Sequence, residues 1–143
     1  EGELYFCCTD GGPARMGQIW RYRPSRFEGY AQERSEPGTL ELFVESTDAR
    51  VLEKCDNITI APWGDLIVVE DGDDDQFIRG VTPEGRLYTI GRNASRDDDG
   101  EHSEITGPCF SPDGTTLFFN VQNAPGRTFA VRGPWERRSL ALP

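Results

Sequence analysis

The sequence predicts an all-β fold, because short apolar runs alternate with tight-turn residues along all 143 residues. The 16 glycines and 10 prolines are spread along the chain. They separate runs in which apolar and polar residues alternate with a period of two, which is the pattern of β-strands. No stretch shows helical periodicity over a length that could stand alone. The same arrangement of strands and turns also occurs more than once along the chain, which favours a fold built from repeated units.

The predicted strands are short and are bounded by Gly, Pro and Asp. The turns between them include Pro62-Trp63-Gly64-Asp65, Thr82-Pro83-Glu84-Gly85 and Ser111-Pro112-Asp113-Gly114. The strands cover residues 4–8, 18–22, 39–45, 57–61, 66–69, 77–81, 86–90, 117–121 and 128–131, with one more before the last of these turns.

One unit of the chain recurs. DNITIAPWGDLIVVEDG and FIRGVTPEGRLYTIGRN are followed by EITGPCFSPDGTTLFFNVQ and RTFAVRGPW, with Gly64 and Gly114 in the same place, 50 residues apart. The opening ELYFCCTDGG, GQIWRYRPS and TLELFVES fit the last three strands of an earlier unit. Four short strands repeating every ~40–50 residues indicate β-propeller blades. A β-sandwich is the alternative, and the repeated P-x-G turn favours the propeller.

The repeat predicts about three four-stranded blades, at approximately residues 1–50, 51–95 and 100–135. A propeller closes with roughly four to eight blades. Because an open ring exposes sheet edges, we expect the chain to be a fragment of a larger ring.

Charge and composition exclude some functions. The formal net charge of −10 argues against nucleic-acid binding, which needs a basic surface. It is compatible with cation binding, and equally with an acidic surface that only keeps a protein soluble. No apolar run approaches the ~20 residues that span a bilayer, and no signal peptide is visible.

Cysteine and histidine contribute little to a predicted site. None of the four cysteines has C-x-x-C spacing, which argues against structural zinc. Cys7 and Cys8 alternate faces on a strand, so at most one of them faces the core. We interpret all four cysteines as small buried hydrophobic residues. The single histidine, His102, argues against a His-rich metal site or a Ser-His-Asp triad within this chain.

Polar oxygen ligands recur at the start of the first strand in two neighbouring units. Asp56 and Asn57 begin one such strand and Glu104 the next. In a propeller these strand ends face the axis, where metals and substrates bind. Carboxylate and amide oxygens suit calcium, and carboxylates also suit ferric iron. The alternative is that Asp56 and Asn57 only cap a turn.

Arg79 follows an acidic segment, residues 70–75. Its guanidinium could receive a phosphate group through two hydrogen bonds. The alternative is a surface salt bridge with the acidic segment. That segment fails the spacing of an EF-hand loop, so we expect it, like residues 97–99, to be a solvated loop.

The chain resembles the C-terminal part of the PhoX-type alkaline phosphatases over nearly its whole length. The strings that carry the resemblance are CTDGGPARMGQIWRYRPS, LELFVES, DNITIAPWGDLIVVEDG, RGVTPEGRLYTIGRN, CFSPDGTTLFFNVQ and TFAVRGPW, in this order. The resemblance implies that residues 1–143 are the C-terminal part of a six-bladed propeller domain. It also implies a buried iron–calcium cluster on the axis, hydrolysis of phosphate monoesters, and export to the periplasm or outside the cell.

The resemblance also implies roles for four residues. Asp56, Asn57 and Glu104 correspond to metal ligands, and Arg79 to an arginine that contacts phosphate. The cysteine ligand and the remaining carboxylates of the family lie upstream, so we expect the fragment alone to be inactive. The alternative functions are a calcium-dependent propeller lactonase or esterase, and a non-catalytic propeller that serves as a binding platform.

Overall fold

The all-β prediction is confirmed in a computed structural model, which describes residues 2–96, 98–100, 102–122 and 124–135. Within these ranges there is no α-helix, and one short 3-10 helix, Ala31–Arg34, lies in the connection between the second and third strands. No helix of the described residues is long and apolar enough to span a membrane. The strands are β1 (Leu4–Cys8), β2 (Gln18–Arg23), β3 (Thr39–Glu45), β4 (Cys55–Ile60), β5 (Leu66–Glu70), β6 (Gln76–Val81), β7 (Leu87–Asn93), β8 (Ile105–Phe110), β9 (Thr116–Val121) and β10 (Arg127–Arg132).

The strands form three antiparallel sheets, each a simple meander. The first sheet has the order β1-β2-β3, the second β4-β5-β6-β7 and the third β8-β9-β10. Short turns between consecutive strands produce this order, because antiparallel neighbours need only a hairpin connection. Over the described residues none of the sheets closes on itself, so the propeller ring stays a prediction.

The core is built on β5, all five residues of which are buried. Leu66 and Val68 belong to a first core cluster with Ile19 and Val44 of the first sheet. Successive side chains of a strand point to opposite faces. The intervening residues of β5 therefore face the other way, into a second core cluster with the third sheet; this cluster comprises Ala61, Ile67, Val69, Ile78, Ile105 and Leu117. The second sheet is thus the middle layer of three.

The first strands of the three sheets lie side by side, with β4 in contact with both β1 and β8. The chain's opening strand, β1, therefore occupies the same place in its sheet as β4 and β8 do in theirs. The first sheet thus holds the first three strands of a unit. Our expectation that these strands are the last three of a unit was wrong, because strand spacing alone does not show which edge of a sheet packs against its neighbour.

The predicted P-x-G turns are confirmed in three places. In each turn the glycine N–H donates to the carbonyl oxygen three residues earlier, over 2.9 Å at Gly64, 2.8 Å at Gly85 and 2.8 Å at Gly114. The three glycines have φ values of 95°, 79° and 70°. Glycine adopts this left-handed region at no steric cost, which explains why these tight turns end on glycine.

We predict that Gly80→Ala lowers the free energy of unfolding by ~1–3 kcal/mol, the usual cost of overpacking. Gly80 pairs with Tyr88 across β6 and β7, and a Cβ at Gly80 would overlap the Tyr88 ring. The ring cannot turn away freely, because its hydroxyl donates to the buried Asp65 carboxylate over 2.7 Å. Urea unfolding measures the change. The matched control is Gly91→Ala on β7, where a Cβ meets nothing within 4 Å. Equal losses in both variants would contradict the packing argument.

The third P-x-G turn generates a prediction about pH. The Ser111 hydroxyl and the Thr115 amide and hydroxyl donate to the Asp113 carboxylate, and these bonds lower the pKa of Asp113 to about 2 from 3.8. A lowered pKa in the folded state stabilises the fold above the unfolded pKa, and this stabilisation is lost as pH falls through about 2.

Asp113→Ala should therefore lower Tm at pH 7, and the difference from the unmodified chain should shrink as pH falls from about 4 toward 2. Carboxyl titration by NMR should give the low pKa of Asp113 directly. Thr115→Val, which removes one of the donors, should move that pKa upward. An Asp113 pKa near 3.8 in the unmodified chain would show that the turn does not hold the carboxylate as described.

Candidate metal and phosphate site

Asp56 and Asn57 lie in a β-bulge. Pairing between β4 and β5 passes from Cys55↔Glu70 to Ile58↔Val68, so an extra residue of β4 lies between the two pairs. A bulge bends its strand and redirects side chains. Here it places both polar residues at the end of the second sheet where β4 begins.

The third sheet has the same irregularity in β8, where the register shifts between Thr106 and Cys109. By the 50-residue spacing of the units Gly107 corresponds to Asn57, although the bulge of β8 comprises Gly107 and Pro108 and so begins one residue later than the bulge of β4. Glu104 lies just before β8 and corresponds to Lys54. The expectation that Glu104 and the Asp56-Asn57 pair hold equivalent positions is thus too simple: they share an end of the sheets, not a register.

Asn57 joins the starts of β4 and β8. Its Oδ1 accepts hydrogen bonds from the Thr106 hydroxyl at 2.6 Å and the Gly107 amide at 2.8 Å. Its Nδ2 donates to Asp56 Oδ2 at 2.6 Å. An amide oxygen has two lone pairs, and both are engaged here. The arrangement makes Asn57 a link between the sheets that also orients Asp56, and its predicted role as a metal ligand stays a prediction.

Asp56 is held from two sides. Its Oδ1 accepts from the Thr9 hydroxyl, at the end of β1, over 3.4 Å, and its Oδ2 accepts from Asn57. A carboxylate has about four lone-pair sites, so these two bonds leave capacity for a cation. The carboxylate is thus positioned by elements of the first and second sheets while still able to bind.

Three carboxylates share this end of the sheets. Burial raises the pKa of Glu104, and the charges of Asp71 and Asp56 raise it further. Desolvation likewise raises the pKa of Asp71, with repulsion from Asp56 as the next cause. Mutual repulsion of this kind shows a local excess of negative charge, which a bound cation would relieve.

Sequence reasoning placed Asp71 in a solvated loop and did not single it out as a site residue; the structure confirms that it is exposed and outside the strands. Its amide donates to the Lys54 carbonyl oxygen over 2.9 Å, and the Gln122 amide donates to the Glu104 carbonyl oxygen over the same distance. The residues that follow β5 and β9 are thereby fixed against the starts of β4 and β8. The signal in the sequence was the position of Asp71 directly after β5, whose first four residues are apolar.

The oxygen donors are of the type that calcium and ferric iron prefer. Among the described residues, however, no group of three or more His, Cys, Asp or Glu side chains converges to hold an ion. The chemistry of the donors fits a hard cation, and the roles of Asp56, Asn57 and Glu104 as metal ligands stay a prediction.

Arg79 lies in a different environment from these carboxylates. It is buried on β6, and its Nε donates to Glu70 Oε1 over 2.8 Å. Its other nitrogens donate to the Thr89 hydroxyl at 2.6 Å and to the Arg50 carbonyl oxygen at 3.3 Å, and the guanidinium lies 4.1 Å from the centre of the Phe77 ring. The salt bridge we considered is present, but it is buried rather than on the surface. Three of its five N–H donors are used and the side chain is buried, and the predicted catalytic role stays a prediction.

Among the residues that the structure describes, the cysteines and the histidine belong to no group of three or more side chains that could hold a metal. Cys55 is fully buried, Cys7 packs against the first core cluster, and Cys109 is exposed. The interpretation as a buried hydrophobic residue therefore holds for Cys55 and is wrong for Cys109. His102 Nδ1 lies 3.5 Å from Asp75 Oδ1, a contact that is an ion pair only when the imidazole is protonated.

Breaking the Glu70–Arg79 pair should be costly. We predict that Arg79→Met lowers the free energy of unfolding by ~3–5 kcal/mol, because it leaves the Glu70 carboxylate buried without its partner. Arg26→Met is the matched control: Arg26 pairs with Glu36 at 2.7 Å while its own side chain is 71% exposed, and its loss should cost less than ~1 kcal/mol. Denaturant unfolding followed by circular dichroism measures both. Similar losses would contradict the assignment of Arg79 as a core ion pair.

Comparison with known families matches the model described as Alkaline phosphatase PhoX to residues 1–126. Neither the curated proteins nor the solved structures give a significant match. The family match covers the three sheets except for β10, which begins at Arg127, together with all the polar residues at their shared end. The chain belongs to the PhoX alkaline phosphatase family.

Proposed function

We propose that this chain is the C-terminal part of a metal-dependent phosphatase that hydrolyses phosphate monoesters. Family membership supports the reaction class. The single structural observation that supports the location is Asp56, held between Thr9 and Asn57 beside the acidic residues Asp71 and Glu104. This is the point where β1, β4 and β8 lie next to each other.

The three sheets are, in this proposal, about three blades of a single six-bladed propeller domain that contains residues 1–143. Contact between the first strands of neighbouring sheets supports it, because inner strands of adjacent blades approach one another around a propeller axis. The remaining blades would cover the open outer sheets and supply the other ligands. The fragment by itself would then lack activity.

Asp56 and Glu104 would hold calcium or iron through their carboxylates. Asn57 would be either a third ligand or, as its bonds in this structure favour, the residue that orients Asp56 and ties β4 to β8. Bound metal would supply Lewis-acid polarisation of the phosphate and activation of an oxygen nucleophile. A phosphate-binding role for Arg79 would need its buried guanidinium to become accessible to the substrate. Export from the cell is proposed on the family resemblance alone.

The test is Asp56→Asn in the full-length parent, prepared with calcium and iron and assayed with an aryl phosphate. We expect kcat/KM to fall on the order of 100-fold or more, as for loss of a metal-site residue. Tm should change little, because the new amide can accept from Asn57 Nδ2 with its oxygen and donate to the Thr9 hydroxyl oxygen with its NH2. The control is Asp48→Asn, a carboxylate that pairs with Arg50 on the surface, and its turnover should be unchanged.

Other outcomes distinguish the alternatives. Unchanged turnover in Asp56→Asn would overturn the ligand assignment. Hydrolysis of lactones or carboxylate esters without hydrolysis of the aryl phosphate would identify a propeller lactonase or esterase. A purified parent that contains neither calcium nor iron and hydrolyses none of these substrates would identify a non-catalytic binding platform.

A further inference from the structure

Two thiols from different sheets meet in the first core cluster. Cys7 on β1 pairs with Ile19 on β2, and Ile19 is fully buried against the second sheet. Paired residues of neighbouring strands project from the same face of a sheet. Cys7 therefore faces the second sheet, where it packs against the cluster that contains Cys55 of β4. β1 and β4 are in contact, so both thiols lie at the interface between the first and second sheets.

The Cys55 sulfur is held in this orientation by its surroundings. Its thiol donates to the Gln18 carbonyl oxygen of the first sheet over 3.4 Å. A Cβ at Gly17 would lie 3.0 Å from the same sulfur, so the backbone of the first sheet passes close beside it. The side chain of Cys55 is thus directed across the interface between the sheets, toward Cys7.

The other two cysteines do not share this arrangement. Cys8 follows Cys7 on β1 and projects from the opposite face, outside the first core cluster. Cys109 is exposed on β8 of the third sheet. Among the four cysteines, Cys7 and Cys55 are therefore the two placed to react with one another.

We propose that Cys7 and Cys55 form a reversible disulfide that links the first sheet to the second. The oxidant is a low-molecular-weight disulfide of the glutathione type. Cys7 is partly exposed and Cys55 is fully buried, so the Cys7 sulfur attacks the reagent first. This step expels one thiol and forms a mixed disulfide. The Cys55 sulfur then attacks the Cys7 sulfur and expels the second thiol. The two protein thiols together lose two electrons and two protons, and the reagent is reduced to two thiols.

The linkage would restrain the neighbourhood of Asp56. Cys55 precedes Asp56 on β4, and Thr9, whose hydroxyl donates to Asp56, lies two residues after Cys7. Oxidation would therefore tie together the two chain segments that position this carboxylate. The disulfide also closes a long loop, which removes conformational freedom from the unfolded chain. It requires no phosphatase activity, so it can be tested independently of the proposed function.

The test exposes the folded chain to millimolar glutathione disulfide, followed by a thiol-blocking reagent, non-reducing proteolysis and mass spectrometry. We expect a peptide pair joined through Cys7 and Cys55, a rise in Tm of the oxidised chain by several degrees, and reversal of both by dithiothreitol. Cys7→Ser, at the partly exposed partner, should abolish the linked pair while keeping the β-sheet circular dichroism spectrum. The double variant Cys8→Ser/Cys109→Ser should retain the linkage.

Three results would overturn the proposal. The first is a folded chain in which Cys7 and Cys55 stay unlinked under these conditions while denatured chain is oxidised. The second is linkage of Cys7 to Cys8, or of Cys109 between chains, as the main product. The third is a linked Cys7–Cys55 pair that lowers Tm, because a disulfide that strains the fold would not suit a contact already present in it.

Discussion

Burial of β5 on both faces is the constraint on which the rest of the structure depends. Its side chains alternate between two core clusters, so the first and third sheets must pack on opposite sides of the second. This stacking brings β1, β4 and β8 side by side. The polar residues at the starts of these strands then meet at one end, although they are far apart in sequence. The candidate site is in this sense a consequence of an apolar strand that contains none of its ligands.

The last residue of β5 fixes the positions of the groups around it through hydrogen bonds. Glu70, its last residue, accepts from Arg79 and also from the backbone amides of Glu53 and Phe77, both over 3.1 Å. Burial raises the pKa of Glu70, and Arg79 opposes that rise. A buried carboxylate is tolerated when its hydrogen bonds and its charge are both satisfied. These bonds hold Glu70 in one position. Because Asp71 is the next residue, the core ion pair also restrains where Asp71 can lie at the acidic end of the sheets.

Strands, turns and the sheet meanders could be predicted from sequence, because period-two patterning and P-x-G turns are local properties of the chain. The burial of Arg79 could not be predicted, because it depends on a bond to Glu70, which lies on the neighbouring strand β5. The place of Asp71 beside Glu104 and the link made by Asn57 depend on which sheet edges pack together and on the two bulges. Residue spacing identified Asp56, Asn57 and Glu104 as candidates, but it carried no information on the lone pairs that Asn57 already uses.

The pairing of Asn57 with Gly107 has a consequence for how repeated units acquire function. The two residues lie 50 positions apart in neighbouring units, yet Asn57 contributes a polar side chain and Gly107 a backbone N–H. Gly107 has a φ of 61°, a left-handed conformation that glycine adopts at no steric cost. The contact therefore depends on the side chain of one unit and on the backbone of the other. The repeated strands place the two units side by side, and the Asn57 side chain, which has no counterpart at Gly107, joins them at the polar end of the sheets.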